Sequence, residues 1–216
     1  ITEAVPWVEL ALDLDLDIHA EQPGFRAYKS HLTIEDLPAG GRYLTVIRDP
    51  RDVAVSMYRF FDGWWFERGS ISADTLTRER FMAAPQPRRY WHHVATWWAA
   101  REREDVLVLA YEDMKGDLPG TVARIARFVG VHLDDELLEI VLERASIEFM
   151  KAHARQFDDH LVREKRDAAC GLPPGASTTK VRTGRVGDHA DELSSDVQAE
   201  LDAIWKNEIE ALLGFE

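Results

Sequence analysis

Residues Tyr43–Phe61 read YLTVIRDPRDVAVSMYRFF, and the reading of this stretch decides the fold. Tyr43–Ile47 is a run of β-branched, aromatic and aliphatic residues with no strict alternation, as expected of a strand covered on both faces. Arg48-Asp49-Pro50 then stops it. Asp49 has the chemistry of an N-cap, and Pro50 suits the first helical position, where its missing N–H costs nothing. The spacing predicts a helix from there to Phe61. A strand running straight into a helix is the repeating unit of an α/β sheet.

Working outward, two further segments have strand composition: GFRAYKSH (Gly24–His31) and DVLVLAY (Asp105–Tyr111), flanking the central run Arg42–Ile47. Helical patterns alternate with them. LPGTVARIARFVGV places Val122, Ile125, Ala126 and Val129 on one face, and DDELLEIVLERA opens with the acidic residues a helix N-terminus favours. The closing segment carries Leu193, Val197, Leu201, Ile204, Trp205, Ile209 and Leu212 at mostly three- and four-residue steps. Asp62–Tyr90, rich in Trp, Phe, Arg and Pro, and the polar Phe157–Thr183, with Gly-Leu-Pro-Pro-Gly inside it, fit neither pattern and are expected to be substrate or lid loops. The expectation is a single α/β domain over residues 1–216, with a mainly parallel central sheet flanked by helices.

The composition narrows the partners. The chain has 216 residues, 45% of them hydrophobic, enough for one substantial core. Its net charge of −13 argues against nucleic acid or an anionic membrane as partner, so any site for an anion has to be a local basic pocket. The one cysteine, Cys170, cannot form an internal disulfide, which points to a reducing, cytoplasmic setting. No apolar run is long enough to suggest a membrane span. There is no His/Asp/Glu cluster at metal-ligand spacing and no nucleophile elbow, so no metal is expected.

In an open α/β sheet, ligands bind at the carboxyl ends of the strands. Here those ends carry Lys29-Ser30-His31, Arg48 and Tyr111-Glu112-Asp113. Two cations and an imidazole on one rim of an acidic protein suggest an anionic ligand. Arg48 precedes a helix whose first amides are unpaired donors, a corner suited to phosphate. On the residues alone, a capped helix with a solvated arginine is the commoner reading of such a turn.

Several ordered segments carry a resemblance. VIRDPRDVAVSMYRFF is similar to the 3′-phosphate-binding segment of the cytosolic sulfotransferases, R-N-P-K-D-V-A-V-S-x-Y-x-F. YKSHLTIEDLP resembles their K-T-H-L-P segment, YWHHVATWW their Y-x-H-V-x-x-W-W, VLVLAYEDMKGD their Y-E-D-M-K-x-D. SIEFMK and VRTGRVGDH resemble the later S-F-x-x-M and R-K-G-x-x-G-D-W, in the same order. The family moves the sulfuryl group of 3′-phosphoadenosine 5′-phosphosulfate to a hydroxyl or amine of a small-molecule acceptor, on a fold like that of P-loop NTPases.

The resemblance implies His31 as general base and Lys29 as the cation facing the leaving phosphate. It implies Arg48, Ser56, Arg182, Thr183 and Gly184 as 3′-phosphate ligands, Thr183 standing where the family has lysine. Tyr111, Ser146 and Ile147 would contact adenine, Ile147 replacing a stacking phenylalanine. Arginine suits phosphate because its planar fork donates two bonds, and glycine lets backbone amides approach. His93 matches a histidine near the acceptor pocket but fits a packed helix equally well. Trp64, Trp65, Phe66 and Phe81 are candidates either for acceptor walls or for core.

The family's first strand, glycine-containing 5′-phosphosulfate loop and following helix have no counterpart in the sequence, for which truncation is the expectation. The short family dimer motif is absent as well, replaced by Ala190-Asp191-Glu192-Leu193-Ser194-Ser195, which leaves the oligomeric state open. Two alternatives remain: a catalytically silent module binding adenosine 3′,5′-bisphosphate, and a small-molecule kinase of related fold.

Overall fold

A computed structural model describes residues 2–22, 24–85, 89–171 and 181–210. Strand β1 (Tyr43–Ile47) runs directly into helix α1 (Pro50–Phe61), as the sequence leads one to expect. The Asp49 carboxylate accepts a hydrogen bond from the Arg51 amide at 2.8 Å, capping the helix, and Pro50 occupies its first turn. Next come α2 (Ala73–Leu76), a π-helical turn (Thr77–Met82) and α3 (Tyr90–Ala99), then β2 (Val106–Ala110). The chain continues through α4 (Tyr111–Gly116), α5 (Leu118–Val129), α6 (Asp135–Arg144), α7 (Ile147–Ala152), α8 (Ala154–Phe157), α9 (His160–Cys170) and α10 (Ser195–Trp205).

β1 and β2 pair in parallel, Tyr43 opposite Val106 and Ile47 opposite Ala110. Ile47 enters a core with Ala54 and Val55 of α1, Trp91 and Val94 of α3, and Val197 and Leu201 of α10. On α3, Trp91, Val94 and Trp97 are buried at three-residue steps, so one face of this helix covers the sheet. Filling that face with two indoles and a valine fixes where the rest of α3 points. The opposite face of β1 leaves Leu44 and Val46 exposed.

Four sequence expectations need correction. β1 is not covered on both faces, since Leu44 and Val46 stand exposed among the described residues. Gly24–His31 is not a strand; its one ladder contact is an isolated bridge between Lys29 and Trp7. Strand-like composition is only half of a strand, since the ladder needs a neighbour that local sequence does not reveal. Tyr111 is the first residue of α4 rather than the last of a strand. The stretches read as loops hold helices: α2 and the π-helical turn lie within Asp62–Tyr90, and α9 lies within Phe157–Thr183. Leu212 and most of Gly-Leu-Pro-Pro-Gly lie outside the described residues. Among the described residues no helix is long and apolar enough to cross a membrane, and no group of His, Cys, Asp and Glu could hold a metal ion.

Candidate functional site

Arg48 leaves β1 with its guanidinium 4.2 Å from the centre of the Tyr111 ring, a cation–π stack. Its Nη2 donates to Asp52 Oδ2 and to the Arg185 carbonyl, both at 2.9 Å. The returning segment 181–189 thereby closes over the strand end. The Tyr111 hydroxyl donates to the Gly184 carbonyl at 3.3 Å. Gly184 has φ +62°, a conformation in which side chains are strained, and Ile147 and the Lys115 ammonium stand within about 4 Å of where a Cβ would sit.

Asp52 is the organising residue that the sequence reading missed. Only 2% exposed, it accepts from Arg48, from the Gly187 amide at 2.9 Å, and from both the backbone and Nδ1 of His189. Burial would raise its pKa, but the Gly187 amide, the His189 ring and the Arg48 guanidinium outweigh that and hold the carboxyl below its ordinary range. A carboxylate in the first turn of the helix that follows Arg48 is the signal that could have pointed to it.

Arg182 donates to Asp188 at 2.8 Å, Arg185 pairs with the same carboxylate at 3.0 Å, and the Thr183 hydroxyl donates to it too. Thr183 therefore holds the loop rather than extending a charge from it. Ser56 lies exposed on α1 one turn beyond Asp52. Ser146 caps α7, accepting from the Phe149 amide, which places Ile147 in the first turn beside Gly184. Arg48, Tyr111, Ile147, Arg182, Thr183 and Gly184, drawn from four distant parts of the sequence, thus meet in one place. A cleft of about 670 Å³ opens beside Arg48, with Pro50, Val186 and Trp205 in its lining.

A second cluster surrounds Lys29 and His31. The Lys29 ammonium sits 3.9 Å from the Trp7 ring centre and 3.8 Å from the Asp159 carboxylate. The His31 ring meets Trp7 edge-on at 4.8 Å and is exposed, while its amide donates to Glu9 at 2.6 Å. Burial and the neighbouring charges of His31 and His92 push His93 down to about 4, against a hydrogen bond that ties it to the His31 backbone. Sequence reading did bring His31 and His93 forward; it missed Trp7, Glu9 and Asp159, whose partners are more than twenty residues away.

The first turn of α3 joins the two clusters. The Tyr90 hydroxyl donates to the Arg48 carbonyl and accepts from the Arg48 amide at 3.0 Å, while His93, three residues on, holds His31. Residues three apart on a helix are neighbours, so a single turn of α3 contacts both the Arg48 backbone and the His31 backbone. The candidate acceptor residues divide. Trp64 is wholly buried against Leu14 and Val162, and Phe81 packs on Tyr90 and Trp91 in the main core, so these two are core residues rather than walls. Trp65 is 43% exposed and Phe66 half-buried.

A family model described as "Sulfotransferase domain" matches residues 2–213. Sulfotransferase 2A6 of Rattus norvegicus is 29% identical over 221 residues, which take in 100% of this chain and 73% of the relative. A 3-alpha-hydroxysteroid sulfotransferase of Cavia porcellus is 30% identical, with 94% of this chain and 69% of the relative covered. Among solved structures, a retinol dehydratase in complex with retinol and PAP superposes with a TM-score of 0.69 at 23% identity, over 97% of this chain and 64% of that one. A mouse sulfotransferase complexed with PAP gives 0.64 at 22%, over 85% and 66%. The chain thus spans a little under two thirds of each of these two solved proteins, and the likeness to them is one of fold.

Proposed function

The chain belongs to the sulfotransferase domain family, and from that premise we propose that it transfers the sulfuryl group of 3′-phosphoadenosine 5′-phosphosulfate to a hydroxyl of a small-molecule acceptor. The observation that carries the reading is the bridge built by α3: one turn of helix touches both the Arg48 corner and the backbone of His31.

The residues present fit an adenosine 3′-phosphate. Nε of Arg48 is buried with no hydrogen-bond partner, a donor waiting for an acceptor. Arg48, Arg182, Arg185 and Lys115 bring four positive charges to this corner, against the carboxylates of Asp52, Asp188 and Glu112, on a protein of net charge −13. Arg48, Ser56, Arg182 and the Gly184 backbone would hold the 3′-phosphate; Tyr111, Ser146 and Ile147 would border the adenine. When bound, the donor supplies a sulfuryl group activated by its bond to the 5′-phosphate.

The rest of the work falls to side chains of this chain. His31, with its backbone pinned by Glu9 and His93 and its ring exposed beside Trp7, accepts the proton of the incoming hydroxyl. Lys29 neutralises charge building on the departing phosphate, its position fixed by the Trp7 face and Asp159. His93, neutral at physiological pH, positions His31 without competing for the proton. Rate enhancement comes from holding the groups in line and from electrostatic stabilisation.

Calorimetric titration with adenosine 3′,5′-bisphosphate tests the nucleotide site: binding is expected, with ATP much weaker, and Arg48→Ala is expected to lose at least tenfold in affinity. Parent-like affinity in Arg48→Ala would remove the phosphate assignment. With labelled phosphosulfate donor, a His31→Ala rate equal to that of the parent would remove His31 as the base.

A further inference from the structure

Among the described residues, Lys115 is the cation around Gly184 that no carboxylate claims. Arg48 is paired with Asp52, and Arg182 and Arg185 are both paired with Asp188. Lys115 is exposed, and among the described residues it has neither an ion-pair nor a hydrogen-bond partner. A paired arginine brings its charge together with a counter-charge. An unpaired ammonium brings its charge whole.

Helix α4 fixes where that charge stands. Tyr111 and Lys115 are four residues apart and therefore share one face of the helix. Both meet Gly184: the Tyr111 hydroxyl donates to its carbonyl at 3.3 Å, and the Lys115 ammonium lies 4.0 Å from the point a Cβ would occupy. The Gly184 N–H donates to no described residue. Gly184 is only half-buried and Lys115 is exposed, so a ligand reaches this place from solvent without displacing packed side chains. An unpaired amide beside an unpaired ammonium is a donor set for an anion, and the terminal oxygens of a phosphate can take both. The neighbouring Thr183 does not compete for this role, because its hydroxyl is committed to Asp188 and it carries no charge.

We propose that Lys115 binds the 3′-phosphate of the donor nucleotide alongside the Gly184 amide, and that its charge makes the site distinguish a 3′-phosphorylated nucleotide from one lacking that group. This rests on the sulfuryl-donor reading and adds to it a ligand from α4. Lysine suits the position because its ammonium is a point charge on a flexible stem, able to turn its donors to whichever oxygens the Gly184 amide leaves.

Adenosine 3′,5′-bisphosphate and adenosine 5′-monophosphate differ only in the 3′-phosphate, so the ratio of their affinities isolates it. By calorimetry at low ionic strength, the unmodified chain is expected to favour the bisphosphate at least about tenfold. In Lys115→Met the bisphosphate is expected to bind at least about fivefold more weakly while the monophosphate binds as before, since a charge-assisted hydrogen bond is lost and no packing with it. Lys115→Glu is expected to lose more of the preference still. An exposed side chain leaves the fold intact, which the melting temperature of each variant verifies. A preference in Lys115→Met or Lys115→Glu equal to the parent's overturns the proposal and leaves the nucleotide reading standing. Equal weakening of both nucleotides also overturns it, because a purely structural role would act on both alike. If the unmodified chain shows no preference, or binds neither nucleotide, there is no 3′-phosphate site for Lys115 to serve and both readings fall.

Discussion

Asp52 shows how a single carboxylate can order the surroundings of the proposed phosphate corner by standing behind it. It holds Arg48 on one oxygen and His189 on the other, with the Gly187 amide beside them, and so joins α1 to the segment that carries Arg182 and Gly184. Asp52→Asn keeps the shape and removes the charge, and is expected to cost about 2 kcal/mol or more of stability in urea unfolding. The pH dependence follows from the depressed pKa. The folded value lies below the unfolded one, so the Asp52 contribution is complete above about pH 4 and drains away as pH falls through the folded value. The gap between parent and Asp52→Asn should hold steady from pH 8 to pH 5 and close in stronger acid; a gap that widens in acid would contradict this. His93 has the same sign for a different reason. Being buried as a neutral ring, it opposes protonation, so stability is lost as pH drops from about 6.5 towards 4, by on the order of 3 kcal/mol, and His93→Gln should flatten that part of the curve. NMR should show no titration of the His93 ring between pH 6 and pH 8. Asp52 stands inside the very stretch that announced the fold, yet its role was not legible there, because three of its hydrogen bonds come from residues 135 and 137 positions away.

Among the elements, helices were read more faithfully than strands. The start of α1 is written locally, in Asp49 and Pro50, and that of α6 in Asp134, whose carboxylate accepts from the Leu137 amide at 2.8 Å. The end of α5 falls at Gly130, in the left-handed conformation glycine favours. Gly24–His31 has equally good strand composition, but nothing in it says that Trp7 alone would pair with it. The Asp62–Tyr90 stretch looked like a loop because its aromatics lack a helical period, yet Trp64 and Phe81 are drawn into two different cores by partners elsewhere. The segment over Arg48 depends on backbone shape at one residue. Gly184→Ala is expected to lower thermal stability only modestly, since φ +62° costs an alanine about 1 kcal/mol and the Ile147 contact at 3.6 Å is tolerable. Its larger expected effect is on nucleotide binding, several-fold weaker by calorimetry, because that backbone lies against Tyr111 and beside Lys115. Unchanged affinity would show that the Gly184 backbone does not meet the phosphate.

At the scale of the molecule, cations are scarce and placed: 26 against 39 acidic residues, with Arg48, Arg182, Arg185 and Lys115 gathered around Gly184. The clustering itself could be anticipated from the scarcity of cations and from the residues at the strand ends. What the sequence hid is how unevenly the sheet is covered. α1, α3 and α10 bury Ile47 on one face of β1, while Leu44 and Val46 stand 41% and 38% exposed on the other. Neighbouring apolar side chains on an exposed sheet face favour association, since burying them between copies removes water from both. The chain is therefore expected to self-associate reversibly at high concentration, by sedimentation velocity, despite its large net charge. Replacing both residues by threonine, a β-branched residue with high strand propensity, should shift the population towards monomer and reduce binding of a hydrophobic dye. It should change unfolding free energy by less than about 1 kcal/mol, because side chains this exposed contribute little apolar burial to the fold. If the double variant associates as strongly as the parent, the contact lies elsewhere; if it unfolds, the face is packed more closely than its exposure indicates.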